Sequence, residues 1–427
     1  MKKFLIILSF IYLFIFSETG ICKESKIFLV RIDAAITPVI ANFIEYSINF
    51  AEEKGAKALI IELDTPGGLV ESTRKIVKSI LQSNVPIIVY VSPSGARAAS
   101  AGTFILLASH IAVMAPGTHV GAAHPIELTG KADKEVIKKI TNDLVAWAKN
   151  LAQLRKRNVK FAEEAIRKSK SITEREALKL KVIDFIARDL NELIKKANGK
   201  IVYVRYKKIR LSFKNPDIEE IKEDLKTKLL KVLTNPNLVY FLLMLGLAGI
   251  YFEFAHPGAI FPGVIGAICL ILAFTGLSVL PINYAGLALI ILAGVLFFLE
   301  TQITSHGFLT LGGIISLFLG SIMLFGKNPP SLKVSQPFLY TVILSFSLLF
   351  SGITYLAVKA LRKKPVSGKE ALIGKKGKVI EDVTPEKGKI FVEGEIWEAR
   401  SESFIPKGEK VIVIKKEGLI LIVKSLK

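Results

Sequence analysis

From residue 26 to about residue 200, two hydrophobic periods alternate along the chain. Short, nearly continuous apolar runs read as strands: KIFLVRID (26–33), AKALIIELD (56–64), VPIIVYVS (85–92), IAVMAP (111–116) and VIDFIA (182–187). Between them stand segments whose apolar positions recur every three or four residues. These are ITPVIANFIEYSINFAEEKG (36–55), LVESTRKIVKSILQS (69–83), AASAGTFILLASH (98–110) and stretches near 134–157, 160–168 and 173–180. Such alternation predicts an α/β domain with mostly parallel strands, because parallel neighbours require a crossover that is usually helical. IVYVRYKKIRLSF (201–213) predicts a terminal hairpin, and residues 216–237 a single charged amphipathic helix lying against a membrane or its own domain.

The pattern changes at residue 238. Five apolar runs follow, at 238–254, 259–280, 284–300, 307–325 and 338–358, and read as five membrane spans, the first of them short. Beyond them, residues 365–427 alternate apolar and polar positions between Gly and Pro breaks, which predicts about five short strands in a small all-β, OB-like barrel. At the other end, two lysines precede the apolar run Phe4–Phe16, which is short for a span of ~20 residues and is followed by small and polar residues. That is a secretory signal pattern, with cleavage expected between Ser17 and Lys23; the alternative is an uncleaved anchor. The expected organisation is therefore a signal peptide (1–22), an α/β domain (26–213), a juxtamembrane linker (214–237), a multi-span α-helical region (238–361) and the barrel (365–427).

Composition sharpens this in three ways. Of the 427 residues, 51% are hydrophobic and mean hydropathy is +0.45, with the excess concentrated between 238 and 360, so a lipid bilayer is an expected partner. Lys and Arg number 58 against 37 Asp and Glu, a formal charge of +21; no nucleic-acid-binding motif accompanies it, so nucleic acid is not expected as a partner. The basic cluster Arg362–Lys364 follows the last span, which puts the barrel in the cytoplasm. A secreted N-terminal domain followed by five spans ends on the same side, although Lys327 and Lys333 then fall in an outer loop and weigh against it. Cys22 and Cys269 have neither metal-ligand spacing nor a framework for disulfides. No metal, nucleotide or other cofactor is implied.

The candidate chemistry starts at PSGARAASAG (93–102), where an apolar strand enters a tight loop and a helix begins near Ser100. A serine there is exposed in the positive field of a helix N-terminus. Ala98, Ala99, Ala101 and Gly102 are small enough to let a substrate carbonyl approach the backbone, and the Ala101 N–H could donate to an oxyanion. ELDTPGG (62–68) ends a buried strand in a Gly-Gly turn that presents N–H groups without obstruction. Gly68 N–H, with Leu69 N–H beside it, is the expected second donor, and Asp64 is expected to cap the turn. Either segment alone reads as an ordinary strand-to-helix turn, but together at the ends of parallel strands they point to a site.

The combination of LDTPGG, PSGARAASAG, APGTHVGAAHP and KITND resembles the NfeD-type membrane-bound serine proteases, relatives of the Clp protease and signal-peptide-peptidase-A group on the crotonase-like α/β spiral. The resemblance runs through the whole chain. It implies a crotonase/Clp-like spiral domain, then the membrane region, then the OB-like barrel. It also implies Ser100 as nucleophile, Gly67 and Gly68 as oxyanion contacts, and Lys139, before I-T-N, as general base. A stomatin- or prohibitin-like membrane protein is the implied partner or substrate, cleaved in an apolar segment, and a homo-oligomer, dimer or larger, is implied as well.

The residues alone leave the base open. A lysine base must be uncharged, whereas a free lysine titrates near 10.4 and needs apolar surroundings to fall. Val136, Ile137 and Ile140 could supply them, but Asp143 is an i,i+4 partner that would make Lys139 an ordinary surface pair. Lys138 and Lys149 are the fallback lysines. His124, 24 residues after Ser100, is a rival base or a substrate-site residue, as in the Clp proteases; Ser169 and Lys170 stand where those enzymes have an orienting carboxylate, so its tautomer is not expected to be fixed. His110 and His119 are expected to be structural. Asn142 and Asp143 read as surface residues or as positioners of the base, and Arg97 as a substrate contact or a solvated turn residue. The rival function is a non-catalytic membrane scaffold that binds a stomatin-like partner. A transporter is disfavoured, since Glu253 and Glu300, near span ends and expected to be interfacial, are the main ionisable residues of the spans.

Overall fold

A computed structural model describes residues 26–125, 134–213, 216–255, 258, 260–303, 305, 307–326, 332–361 and 372–426. The expected signal peptide, residues 1–22, lies outside them. In the first 220 residues the elements run β1 (Lys26–Asp33), α1 (Pro38–Glu53), β2 (Ala58–Asp64), α2 (Val70–Gln82), β3 (Ile87–Val91), β4 (Arg97–Ala99), α3 (Ala101–Ala108), β5 (Ile111–Met114), β6 (His119–Gly121), α4 (Lys134–Leu154), α5 (Val159–Arg167), β7 (Ser171–Thr173), α6 (Glu174–Lys179), β8 (Phe185–Ile186), α7 (Leu190–Ala197), β9 (Ile201–Val204), β10 (Lys207–Arg210) and β11 (Asp217–Glu220).

Six of the strands form one parallel sheet in the order β11-β1-β2-β3-β5-β8. Successive residues of a strand point to opposite faces, and both faces of this sheet are covered. Phe28, Val30, Leu59, Ile61 and Leu63 pack under α1–α4. Ile27, Leu29, Ile60, Tyr90 and Val113 pack under α7 and the β9–β10 hairpin. That double burial is why the strands read as unbroken apolar runs. A second, three-stranded sheet, β4-β6-β7, stands beside the first, and an isolated bridge between Thr65 and Ala98 joins the two. Its strands have three residues each, too short to leave a period in the sequence. The two-layer arrangement is the crotonase- and Clp-protease-like spiral.

The expected helix over 216–237 is corrected. Asp217–Glu220 is a strand added in parallel to the edge of β1, and the helix α8 is confined to Leu225–Val232 with no buried residue. The sequence DIEE alternates too briefly to announce a strand; the free edge of β1 decides it.

Five apolar helices follow: α9 (Pro236–Ala255), α10 (Phe261–Val279), α11 (Tyr284–Gln302), α12 (Phe308–Leu324) and α13 (Gln336–Leu361). Four are long and apolar enough to cross a membrane, while α12 falls just short in length. The first four pack as two hairpins whose close approach depends on glycine. A Cβ on Gly266 would lie 2.8 Å from the Ile250 nitrogen, and one on Gly286 would lie 2.6 Å from the Leu324 nitrogen. Glu300, near the end of α11, is buried within the protein. Its carboxylate accepts from Ser305 Oγ at 2.7 Å and from the Gly307 and Thr310 N–H groups at 2.9 Å, capping the start of α12.

The last unit is a closed five-stranded barrel, β12 (Lys376–Glu381), β13 (Lys389–Val392), β14 (Glu395–Arg400), β15 (Lys410–Glu417) and β16 (Ile420–Ser425), in the order β12-β13-β14-β16-β15. Val379, Ile390, Val392, Val411 and Val423 fill its interior. Closure removes the exposed strand edges that so small a sheet would otherwise present.

Candidate active site

Ser100 stands at the junction of β4 and α3 with φ 49° and ψ −105°. A non-glycine residue in such a conformation costs on the order of 1–3 kcal/mol and persists only where its surroundings over-determine it. Here they do. The Ser100 N–H donates to Gly121 O at 2.9 Å, and Ser100 O accepts from the Thr103 N–H at 3.1 Å. Thr103 Oγ1 lies 3.0 Å from both the Ala98 and Gly121 carbonyl oxygens, locking β4 to β6 around the serine. Every residue of α3 is buried.

The small residues follow from this crowding. A Cβ on Gly102 would lie 2.7 Å from Thr65 Cγ2, and one on Gly121 (φ 137°) would lie 2.1 Å from Lys170 O. The Gly-Gly turn faces the serine directly: a Cβ on Gly67 (φ 116°) would lie 2.7 Å from Ser100 Cβ and 3.2 Å from its Oγ.

Leu69 N–H donates to Ile36 O at 2.9 Å, which removes it from the expected pair of donors. Among the described residues, neither the Gly68 N–H nor the Ala101 N–H has an acceptor. Two unspent donors thus lie next in sequence to the serine and to the glycine that faces it. Asp64 does not cap its own turn; Thr65 Oγ1 does, accepting from the Gly67 N–H at 3.2 Å. Asp64 Oδ1 instead accepts from the Arg97 N–H at 3.0 Å, clipping the loop before Ser100 to the end of β2. Two residues earlier, Glu62 accepts from Ser92 Oγ at 2.6 Å and holds the other end of the same loop. The Arg97 side chain is exposed.

Lys139 lies near the start of α4 with its side chain exposed. The shelter expected from its neighbours is not formed by the described residues, since Val136 and Ile140 are each 47% exposed. Asp143 does not hold it, because that carboxylate pairs with Arg74. The Arg74 guanidinium in turn lies 4.6 Å from the centre of the Trp147 ring. Asn142 Oδ1 accepts from Arg167 at 3.1 Å. Lys149 pairs with Glu163 at 3.2 Å, and Lys138 is exposed.

The helices of the serine and the lysine lie side by side. Phe104 stacks on Trp147 with ring centres 4.5 Å apart, and Arg155, just past α4, donates to Ala108 O at the end of α3 at 2.7 Å. Measured from the stacked pair by helical rise, Ser100 stands ~6 Å up α3 and Lys139 ~12 Å up α4. Among the described residues no hydrogen bond joins the two. Residues 126–133, which lead into α4, lie outside the described residues.

His124 Nδ1 lies 2.7 Å from Ile166 O. Only a protonated Nδ1 can make that bond, so a backbone carbonyl fixes the tautomer that was expected to be free, leaving Nε2 as an acceptor. No hydrogen bond joins it to Ser100 among the described residues. His110 is structural: its Nδ1 accepts from the Ile87 N–H at 3.1 Å, and Nε2 faces Arg155 at 3.3 Å. Burial, reinforced by Arg155 and Arg157, pulls its pKa down to about 3. His119 is exposed on β6. Among the described residues no group of acidic, histidine or cysteine side chains could hold a metal. Sequence reasoning missed Thr65, Thr103 and Gly121, which lock the serine; the T of LDTPGG and the G before AAHP were the visible cues.

A crotonase/Clp-like spiral with a strained serine against a Gly-Gly turn, joined in one chain to apolar helices and a β-barrel, defines a class of three-part membrane proteins. Three family models match the chain in succession: NfeD1b, N-terminal domain (residues 26–220), NfeD integral membrane domain (237–357) and NfeD-like C-terminal, partner-binding domain (369–424). The chain is 41% identical to membrane-bound protease PH1510 of Pyrococcus horikoshii over 98% of its own length and 97% of that protein. It is 26% identical to membrane protein NfeD1b of Bacillus subtilis, over 97% of each. A solved structure of a membrane-bound stomatin-specific protease, a lysine-to-alanine mutant in complex with a substrate peptide, is 41% identical, with 49% of this chain and 98% of that one covered and a TM-score of 0.47. The chain belongs to the NfeD family.

Proposed function

We propose that this protein is an integral-membrane serine endopeptidase. The observation that carries the reading is the strained, fully locked backbone of Ser100 beside two unspent N–H groups, those of Gly68 and Ala101. An uncharged Lys139 amine takes the Ser100 hydroxyl proton as Oγ attacks a peptide carbonyl. The tetrahedral oxyanion accepts from the Gly68 and Ala101 N–H groups. As the C–N bond breaks, the lysine returns the proton to the leaving amine, and it then activates the water that hydrolyses the acyl-enzyme. His124, with Nε2 available as an acceptor, is the alternative base.

An apolar segment of a stomatin- or prohibitin-like membrane protein is the proposed substrate. The family relationship to a stomatin-specific protease supports it. So does the exposure of Val136 and Ile140 beside Lys139, since an apolar substrate laid over them would strip water from the amine. A homo-oligomer could complete the same cover. The proposal has the catalytic domain outside the cytoplasm and the barrel inside it, which the basic cluster Arg362–Lys364 supports.

The test compares the parent with Ser100→Ala on an apolar peptide. Cleavage by the parent alone is expected. Equal cleavage by both ends the mechanism, and cleavage by neither supports a scaffold. Lys139→Ala and His124→Ala then assign the base.

A further inference from the structure

The outer surface of the C-terminal barrel carries a basic patch that the candidate chemistry does not use, in a unit whose family description names a partner-binding role but no lipid. On β12 and β15, Lys378 and Lys410 are direct cross-strand partners. Lys376 lies two residues along β12, opposite Ile412, and Ile412 is opposite Lys424 on β16. All four lysines are exposed, while Gly377, Val379, Val411 and Val423 between them point inward. Like charges facing each other across a ladder destabilise it, and no acidic side chain relieves these: among the described residues none of the four has an ion-pair partner. Elsewhere on the barrel Lys375, Lys389 and Lys415 pair with Glu393, Glu381 and Glu417. Two exposed apolar side chains flank the patch. Phe391 is opposite Lys378 on β13, and the Leu426 N–H donates to Lys410 O.

We infer that this face docks on anionic lipid headgroups at the membrane surface. Four unpaired ammonium groups on one sheet face, with a phenyl ring and a leucine at the rim, match a surface of phosphates over an apolar layer, where lysines snorkel and apolar tips dip in. The tether is short. Residues 362–371 alone separate the end of α13 from the first described residue of the barrel unit, and ten residues span at most ~35 Å. The effective concentration of headgroups at the barrel is therefore high whatever the barrel's orientation. An acidic partner protein would have to be recruited, whereas the bilayer is already present. The inference does not depend on Ser100 or on cleavage.

The full-length chain, reconstituted in nanodiscs of phosphatidylcholine alone or with about a third phosphatidylglycerol, tests it by lysine acetylation read by mass spectrometry. With anionic lipid, acetylation of Lys376, Lys378, Lys410 and Lys424 is expected to slow at least about five-fold, and to recover in about 0.5 M salt. Lys387 and Lys415 serve as unchanged internal references. The double variant Lys378→Gln, Lys410→Gln should lose the protection of Lys376 and Lys424. Equal rates in the two lipids would overturn the inference, as would protection that survives the double variant. Protection that appears in neutral discs only after a purified stomatin-like protein is added would overturn it too, reassigning the patch to a protein.

Discussion

The two halves of the candidate site are built differently. The nucleophile half is a backbone object. Ser100 and Gly67 are held by main-chain hydrogen bonds, the first donating to Gly121 and the second accepting from Ile36, with Ala101 and Gly68 next to them in sequence and no room for a methyl group on either glycine. The base half is a side-chain object on the exposed first turns of α4, fastened farther down by the Phe104–Trp147 stack and by Arg155. On the proposed mechanism the serine is preorganised within one chain, while the lysine needs apolar cover. A protease whose two halves meet fully only with substrate or a second copy in place would be quiet towards other proteins.

Four measurements separate the halves, taken from the largest expected effect to the smallest. Lys139→Ala should lower cleavage by a factor on the order of 10³ or more with the melting temperature unchanged, since a general base on an exposed turn contributes to rate and not to packing. Loss of stability together with activity would make Lys139 structural. Gly121→Ala is the opposite case. Its Cβ would meet Lys170 O, so a stability loss of about 3 kcal/mol or more is expected, read as a lowered melting temperature. An unchanged melt would show that the nucleophile half has room to give.

The third measurement is acidification. His110 titrates near 3 in the folded chain against an ordinary 6.5. The unfolded chain therefore binds the extra proton first as pH falls. His110 takes nothing from stability above about pH 6.5, and below it stability drops towards pH 3 by at most about 1.4 kcal/mol per unit. The thermal midpoint of the parent should fall more steeply between pH 6.5 and 5 than that of His110→Gln; parallel slopes would remove His110 from the structural support of α3. Asp143→Ala should do least, changing cleavage less than about three-fold, because an exposed pair with Arg74 is worth at most about 1 kcal/mol. A marked acceleration would mean that Asp143 had been holding Lys139 charged after all.

Legibility tracked the length scale of each constraint. The parallel strands, the hairpin, the apolar helices and the barrel all repeat a hydrophobic period long enough to be read. Ser100 and the Gly-Gly turn were legible because small residues clustered beside strand ends. The three-residue strands β4, β6 and β7 repeat nothing, and DIEE became a strand only through the open edge of β1. Asp64 was misassigned because its acceptor is used across a gap of 33 residues. The i,i+4 spacing of Lys139 and Asp143 suggested a pair that Arg74, distant in sequence, preempts.

The amino-acid sequence by itself determined the order of the units, the positions that face the core, and which serine sits at a strand-to-helix junction, since hydrophobic burial and steric size act residue by residue along the chain. Only the tertiary structure decided which donors remain unspent around Ser100, which tautomer His124 adopts, and how far the lysine stands from shelter. Those depend on partners that hydrogen bonding and burial bring together from distant parts of the chain, and local spacing carries no record of them.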